Sequence, residues 1–176
     1  ACAYLHPEPM TELFAEEPHV IIAGSGVPAG TAVRVEGGWR VTGRWGFVSG
    51  CTAADRWVLV SMVEGASTPT MCAALVPANP EQIDHTWDTT GLRGTGSHHV
   101  ELDDQFVLDA MAGVLGLGEH ARPDTPFYRL PAGLRFPFPK VGVATGLARR
   151  AISEFADLAG AKRPLNLRSQ LRDRPD

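Results

Sequence analysis

The sequence predicts an α+β protein: an antiparallel β-barrel of about seven to eight strands, followed by an amphipathic helix that begins an incomplete helical bundle. Three observations predict it. Short apolar, β-branched and aromatic runs recur from Val20 to Val107 with glycine and proline clusters between them. A Gly37-Gly38 pair separates two such runs and reads as a type I′ hairpin turn, which makes the pairing antiparallel. Beyond Pro139 the apolar period changes to three and four residues.

Residues 1–19 carry Pro7, Pro9 and Pro18 and read as a short opening segment. One helical stretch is expected at 11–17, capped by Thr11 and docked through Leu13 and Phe14. Residues 20–122 read as the sheet domain, with strands expected at 20–23, 32–36, 39–47, 57–63, 71–76, 83–87 and 99–107. Val33, Val35, Trp39, Val41, Trp45 and Phe47 make the expected buried face, with Arg34, Glu36, Arg40, Thr42 and Arg44 on the wet one.

Residues 123–176 read as a proline-rich linker and the first helix of a truncated helical domain. Ala144, Leu147, Ala148, Ala151, Ile152, Phe155, Leu158 and Ala159 give a helix of about five turns. Gly160 would close it in the left-handed conformation, with Lys162 and Arg163 at the end that favours cations and Pro164 beyond; the tail after it frays or begins another helix. Burying Leu147, Ile152, Phe155 and Leu158 at roughly 1.5–3 kcal/mol each rivals the net stability of a domain. That face is therefore expected to pack against a second copy or a complementing helical chain.

Composition excludes several classes. With 44% hydrophobic and 20% charged residues, the chain is neither disordered nor collagenous. A net charge of −4 with scattered Lys and Arg leaves no stripe to neutralise phosphates, so nucleic acid is excluded as a partner. Cys2, Cys51 and Cys72 suit neither a disulfide framework nor a Cys-x-x-Cys metal site, and a reducing, cytoplasmic setting is expected. Neither a signal-type leader nor an apolar run near the ~18 residues of a membrane helix is present, and no membrane association is expected. The chain begins at Ala1 rather than Met, which fits processing or a longer parent.

Val20-Ile-Ile-Ala-Gly24-Ser-Gly26 imitates a dinucleotide fingerprint, but Pro28 and the strand-like run 31–36 stand where that motif needs a helix. His98 and His99 would face opposite sides of a strand and cannot share a metal, so none is expected. Trp39, Trp45, Trp57 and Trp87 read first as core, and Cys51 as a small buried group.

The chemistry concentrates in two stretches. Gly37-Gly-Trp-Arg-Val-Thr-Gly-Arg-Trp-Gly-Phe-Val-Ser-Gly50 delivers the Ser49 hydroxyl between aromatic and glycine neighbours, a pattern suited to holding a flat ring. A turn serine beside Gly50 is the plainer alternative. Trp87-Asp-Thr-Thr-Gly-Leu-Arg-Gly-Thr-Gly-Ser97 places Arg93, Thr95 and Ser97 between glycines, where they either clamp a phosphate or merely turn the chain.

Together with the Ala-Gly-Ser25 strand end, the Trp57 strand and Val100-Glu-Leu-Asp-Asp, these stretches resemble the acyl-CoA dehydrogenase superfamily. The likeness is narrower to its flavin-dependent monooxygenase branch, the oxygenase components of two-component aromatic hydroxylases, and covers residues 20–160 in order. The resemblance implies a flavin-binding β-barrel followed by the start of a helical bundle. It implies reduced flavin, FMN or FAD, as cofactor, with Phe47, Val48, Ser49 and Gly50 lining it, Ser25 touching flavin or substrate, and Ser49 as the catalytic residue near N5. It also implies hydroxylation of a small aromatic or related substrate with O2, a flavin reductase as partner, and an oligomer. Relatives begin with a large helical domain and end with further helices, so the chain is expected to be an incomplete flavoprotein, either a cut fragment or one half of a split assembly, whose chemistry needs helices from elsewhere. A dehydrogenase-like oxidation and a non-catalytic remnant of the same fold remain open alternatives.

Overall fold

The structure, a computed structural model, describes residues 5–115, 138–165 and 169–173. The chain divides into two compact units, Ala1–Arg122 and Pro123–Asp176. In the first, helix α1 (Pro7–Glu16) precedes β1 (Ile22–Val35), β2 (Gly38–Val48), β3 (Arg56–Val63), β4 (Met71–Pro77), β5 (Ile83–Asp84), β6 (His98–Leu108) and β7 (Ala112–Leu115). In the second, helix α2 spans Phe138–Ala161. Among the described residues no helix is long and apolar enough to cross a membrane.

The α+β class holds, but the antiparallel barrel does not. The strands form one mixed sheet in the order β5-β6-β2-β1-β3-β4-β7. It is open because the edge strand β5 is two residues long and offers β7 no ladder to close against. It is mixed because β3 returns along β1 in the parallel sense. The strands expected at 20–23 and 32–36 are one continuous β1, the strand expected at 83–87 stops at Asp84, and β7 was not foreseen.

The hairpin joins β1 and β2 one residue earlier than expected. Val35 pairs with Gly38, so the turn is Glu36-Gly37, and Gly37 alone takes a positive φ, 74°. This register opposes even positions of β1 to odd ones of β2 (Ala32↔Val41, Arg34↔Trp39). Ala32 therefore enters the core and Val33 is exposed, the reverse of the expected alternation.

One face of the sheet wraps the main core: Ala32, Trp39, Val41, Trp45, Val48, Cys51, Trp57, Leu59, Cys72, Ala74, Val76, Val100, Leu102, Val107 and Ala112. The other face of β3 and β4 is covered by α1, whose Met10 and Leu13 pack with Leu5 on Val58, Val60, Ala73 and Leu75. The opening segment is thus a working layer. Its helix starts at Pro7, where the missing N–H costs nothing. Thr11 does not cap it but donates to Pro7 O at 2.8 Å, and Phe14 stays exposed.

In α2, Val141, Val143, Leu147, Ile152, Phe155 and Leu158 are all exposed. Gly160 does not close this helix: it lies inside it without a positive φ, and Lys162 N donates to Leu158 O at 2.7 Å. The linker expected from 123 onwards lies outside the described residues up to 137, and a short 3-10 turn occupies Leu171–Asp173.

Candidate functional site

The site arises where the sheet forks. β1 and β2 pair from Val35↔Gly38 to Gly30↔Gly43 and then separate: the far part of β1 follows β3 (Ser25↔Leu59) and the far part of β2 follows β6 (Val48↔His98). Between Ser25 and Gly30 the ladder to β3 is interrupted, so residues 26–29 on β1 face only Val60 across the gap. The indole of Trp45 fills the place, donating from Nε1 to Val60 O at 2.6 Å. A side chain at Gly30 would overlap the Trp45 ring, and one at Gly43 would overlap the Gly30 backbone, which is why both positions are glycine.

Beyond Trp45 the β2–β6 register slips before Val48 pairs with His98. Phe47 takes a left-handed φ of 57° at the slip. Parity with Trp45 predicted a buried Phe47; instead Trp45 is 0% exposed, Phe47 is 71% exposed, and Val48 takes the core position. Phe47 stands edge-on to Trp87 at 6.2 Å and to His99 at 6.0 Å between ring centroids. Ser49 follows, exposed, with its N–H donating to Phe47 O at 2.9 Å, and Gly50 at φ 80° turns the chain into Cys51. Residues 49–55 then cross the mouth of the fork to β3, tied down by Asp55 N and Arg56 N on Ile21 O.

The second motif comes to the same place. Gly50 N donates to Thr95 O at 2.7 Å, and Cys51 Sγ lies 3.4 Å from Gly96 O. Ser49 Oγ is 2.7 Å from Ser97 Oγ, which is 2.8 Å from Thr95 Oγ1. Thr95 Oγ1 donates to Leu92 O at 2.9 Å, and Trp87 Nε1 donates to the same carbonyl at 3.1 Å. Leu92 is itself left-handed, φ 56°, with an exposed side chain.

His98 and His99 point apart, as their places on a strand require. His98 Nδ1 accepts from Trp87 N at 3.0 Å and its ring meets His85 at 4.7 Å. His99 borders Gly46 and Phe47, and its Nδ1 is buried without a hydrogen-bond partner. Among the described residues no cluster of three or more His, Cys, Asp or Glu could hold a metal. Burial pushes the Cys51 thiol up, which suits a packing group.

Of the residues singled out from sequence, Phe47 and Ser49 share one exposed ridge with the half-buried Gly50, while the Val48 side chain faces the core. Ser25 lies on the opposite arm of the fork, buried, its Oγ accepting from Val27 N at 3.4 Å. Trp87, read first as core, is instead only half-buried beside Phe47, and of Thr95 and Ser97, read more readily as turn formers, Ser97 meets Ser49 directly and Thr95 meets Ser97. Leu92 was not singled out at all. The spelling Leu-Arg-Gly-Thr-Gly-Ser was the available signal, since hydroxyls alternating with glycines on a short loop can line up on one side.

By fold, then, the chain is an α+β protein in which the exposed Phe47 and Ser49 meet the half-buried Trp87 and the hydroxyls of Thr95 and Ser97 at the forked end of a mixed sheet. No family model matches it. It is 35% identical over 175 residues to an indole-3-acetate monooxygenase of Acinetobacter baumannii, covering 97% of this chain and 44% of that protein. It is 33% identical over 147 residues to the flavin-dependent monooxygenase oxygenase subunit HsaA of Rhodococcus jostii, covering 77% of this chain and 38% of that one. Among solved structures, XiaF from a Streptomyces species, in complex with FADH2 and glycerol, superimposes with a TM-score of 0.56 at 34% identity, covering 62% of this chain and 28% of that one. The relatives of this chain are oxygenase components of flavin-dependent two-component monooxygenases. The chain spans less than half the length of these relatives.

Proposed function

We propose that this chain is the flavin-binding portion of a monooxygenase that uses reduced flavin, FMN or FAD, and O2 to hydroxylate a small aromatic or related substrate. The observation that carries the reading is the meeting of Phe47, Ser49 and Gly50 with Trp87, Thr95 and Ser97 at the sheet fork. A flavin needs an apolar surface for its ring and hydrogen-bonding groups at its polar edge. The ridge fits: Phe47 and Leu92 expose apolar side chains from strained backbone, and the Ser49 hydroxyl, two residues after Phe47, is linked through Ser97 and Thr95 to the Leu92 carbonyl. The names of the relatives support the same assignment, an indole-3-acetate monooxygenase and a structure holding FADH2.

In this reading the bound reduced flavin supplies the electrons that activate O2. The chain's own residues position and exclude water. Phe47, Val48 and Gly50 line the ring, through backbone in the case of Val48, and Ser49 holds a hydrogen bond at N5. Ser25, across the fork, faces flavin or substrate. A neutral hydrogen bond at Ser49 contributes about 1 kcal/mol, so a dry pocket must carry most of the protection, and helical chain of the complete protein would supply its walls. A flavin reductase delivers the reduced cofactor, the exposed face of α2 serves assembly into an oligomer, and the protein works in the cytoplasm.

The test is anaerobic titration of the purified protein with reduced FMN and FAD, followed by O2 and a panel of phenols and indoles. Saturable uptake of reduced flavin and a product one oxygen atom heavier are expected. Failure to bind either flavin would leave the ridge without this role, and reduction of bound oxidised flavin by an acyl-CoA would assign a dehydrogenase.

A further inference from the structure

A chain of hydroxyls has a direction, and here its end fixes it. Leu92 O is a carbonyl and can only accept, so Thr95 Oγ1, 2.9 Å away, donates to it. Thr95 has a single hydroxyl proton. With that proton committed, Thr95 Oγ1 accepts from Ser97 Oγ at 2.8 Å. Ser97 has then spent its own proton and accepts from Ser49 Oγ at 2.7 Å. The Ser49 proton therefore points inward, and the outward side of its oxygen offers lone pairs alone.

The anchor of this chain is held from several sides. Leu92 O also receives Trp87 Nε1 and Thr95 N, each at 3.1 Å, and the left-handed Leu92 backbone aims it. Gly50 N on Thr95 O fixes the loop to the turn that carries Ser49. Ser97 is 5% exposed, which keeps water from competing for its lone pair.

We infer that Thr95 and Ser97 are positioning residues that lock Ser49 as a hydrogen-bond acceptor, so that the site selects reduced over oxidised flavin. The inference rests on the flavin reading above. Reduced flavin carries a hydrogen on N5, whereas the oxidised form presents a bare lone pair there. An acceptor-only hydroxyl bonds the first and repels the second. An unlocked serine turns to suit either form and discriminates little. For a protein supplied with reduced cofactor from outside, the lock favours loading the form delivered and releasing the spent one.

The experiment measures dissociation constants for reduced FMN and FAD, anaerobically, and for the oxidised forms, on the wild type, Ser97→Ala, Thr95→Val and Thr95→Ser, with circular dichroism as the folding control. The wild type is expected to prefer the reduced form. Ser97→Ala removes the inward acceptor, and Thr95→Val lets Ser97 turn its proton toward Ser49. Each is expected to narrow the reduced-to-oxidised preference by about fivefold, mainly through tighter binding of oxidised flavin. Thr95→Ser keeps the hydroxyl and is expected to restore the wild-type ratio. An unchanged ratio in both Ser97→Ala and Thr95→Val, or an equal loss of both flavin forms, overturns the lock while the flavin reading stands. No binding of either form by the wild type overturns both.

Discussion

In the middle of the sheet, β3 and β4 bury every residue at 57–61 and 72–76, one face on the main core and the other under α1. At the fork, Phe47 and Leu92 sit in the left-handed region with apolar side chains turned outward. A non-glycine residue there costs roughly 1–2 kcal/mol, and the core obtains nothing from it. The first region gathers apolar surface; the second spends stability to hold two side chains and a hydroxyl in one orientation. What keeps the second in place is the first, through Trp45, whose ring lies in the core and whose indole nitrogen bridges the fork.

The sharpest way to break this contrast is Trp45→Ala. It removes a fully buried ring and strands Val60 O, so a loss of about 3–5 kcal/mol in denaturant unfolding is expected. Trp45→Phe keeps most of the volume and should lose a smaller part, chiefly the hydrogen bond. If Trp45→Ala were nearly neutral, the fork would not depend on the core.

A second test concerns the interior alone. Burial pushes the Cys72 thiol up to about 11. An unfolded thiol ionises near ~8.5, so between that value and the folded one the unfolded chain has released a proton that the folded chain keeps. Stability from this group is complete below the unfolded pKa and falls as pH rises through the folded one, by on the order of 3 kcal/mol. Unfolding curves from pH 8 to 11 should show the decline, and Cys72→Ala should flatten it; an identical alkaline decline in the variant would sink the assignment.

Leu92→Gly should act with the opposite sign. Glycine adopts the left-handed backbone freely but has more freedom to lose, so the net gain is up to about 1 kcal/mol. Flavin affinity should fall in the same variant, because the exposed side chain and the aim of the Leu92 carbonyl are lost together. A variant that is both less stable and unchanged in flavin binding would remove the argument that strain serves the site.

The same division explains what could be read from the chain. The hairpin, the buried Trp39, Trp45 and Trp57, and a long helix at 144–159 follow from local pattern. Ser49 stood out because glycine and aromatics flank it. The open edge was not legible, since it depends on β5 ending at Asp84, and the parallel β1–β3 pair depends on where the chain returns after the fork. Phe47 escaped its parity because the slip comes from pairing with β6, which no local run announces. Thr95 and Ser97 read as turn formers because their partner lies 48 residues from Ser97 in the sequence.

The smallest expected effect lies on the wet surface, where Arg44 of β2 reaches β5 and β6. Its Nη2 is 2.6 Å from Asp84 Oδ2 and its Nε 2.5 Å from Glu101 Oε1, and both partners are half-exposed. The hydrogen bond from Arg44 holds the Asp84 carboxyl below its usual range. A depressed carboxylate contributes stability above its unfolded pKa and loses it as pH falls through the folded one, so Arg44→Gln should matter at neutral pH and not in strong acid. Solvent and salt screen such a pair, and the change at neutral pH should be the least of the four and shrink further in high salt. An NMR titration should show Asp84 returning toward the ordinary carboxylate range in Arg44→Gln. If the substitution instead destabilised the fold as much as Trp45→Ala, the pairing of β5 with β6 would be part of the core's support, and the division between a stabilising interior and a presenting edge would have to be redrawn.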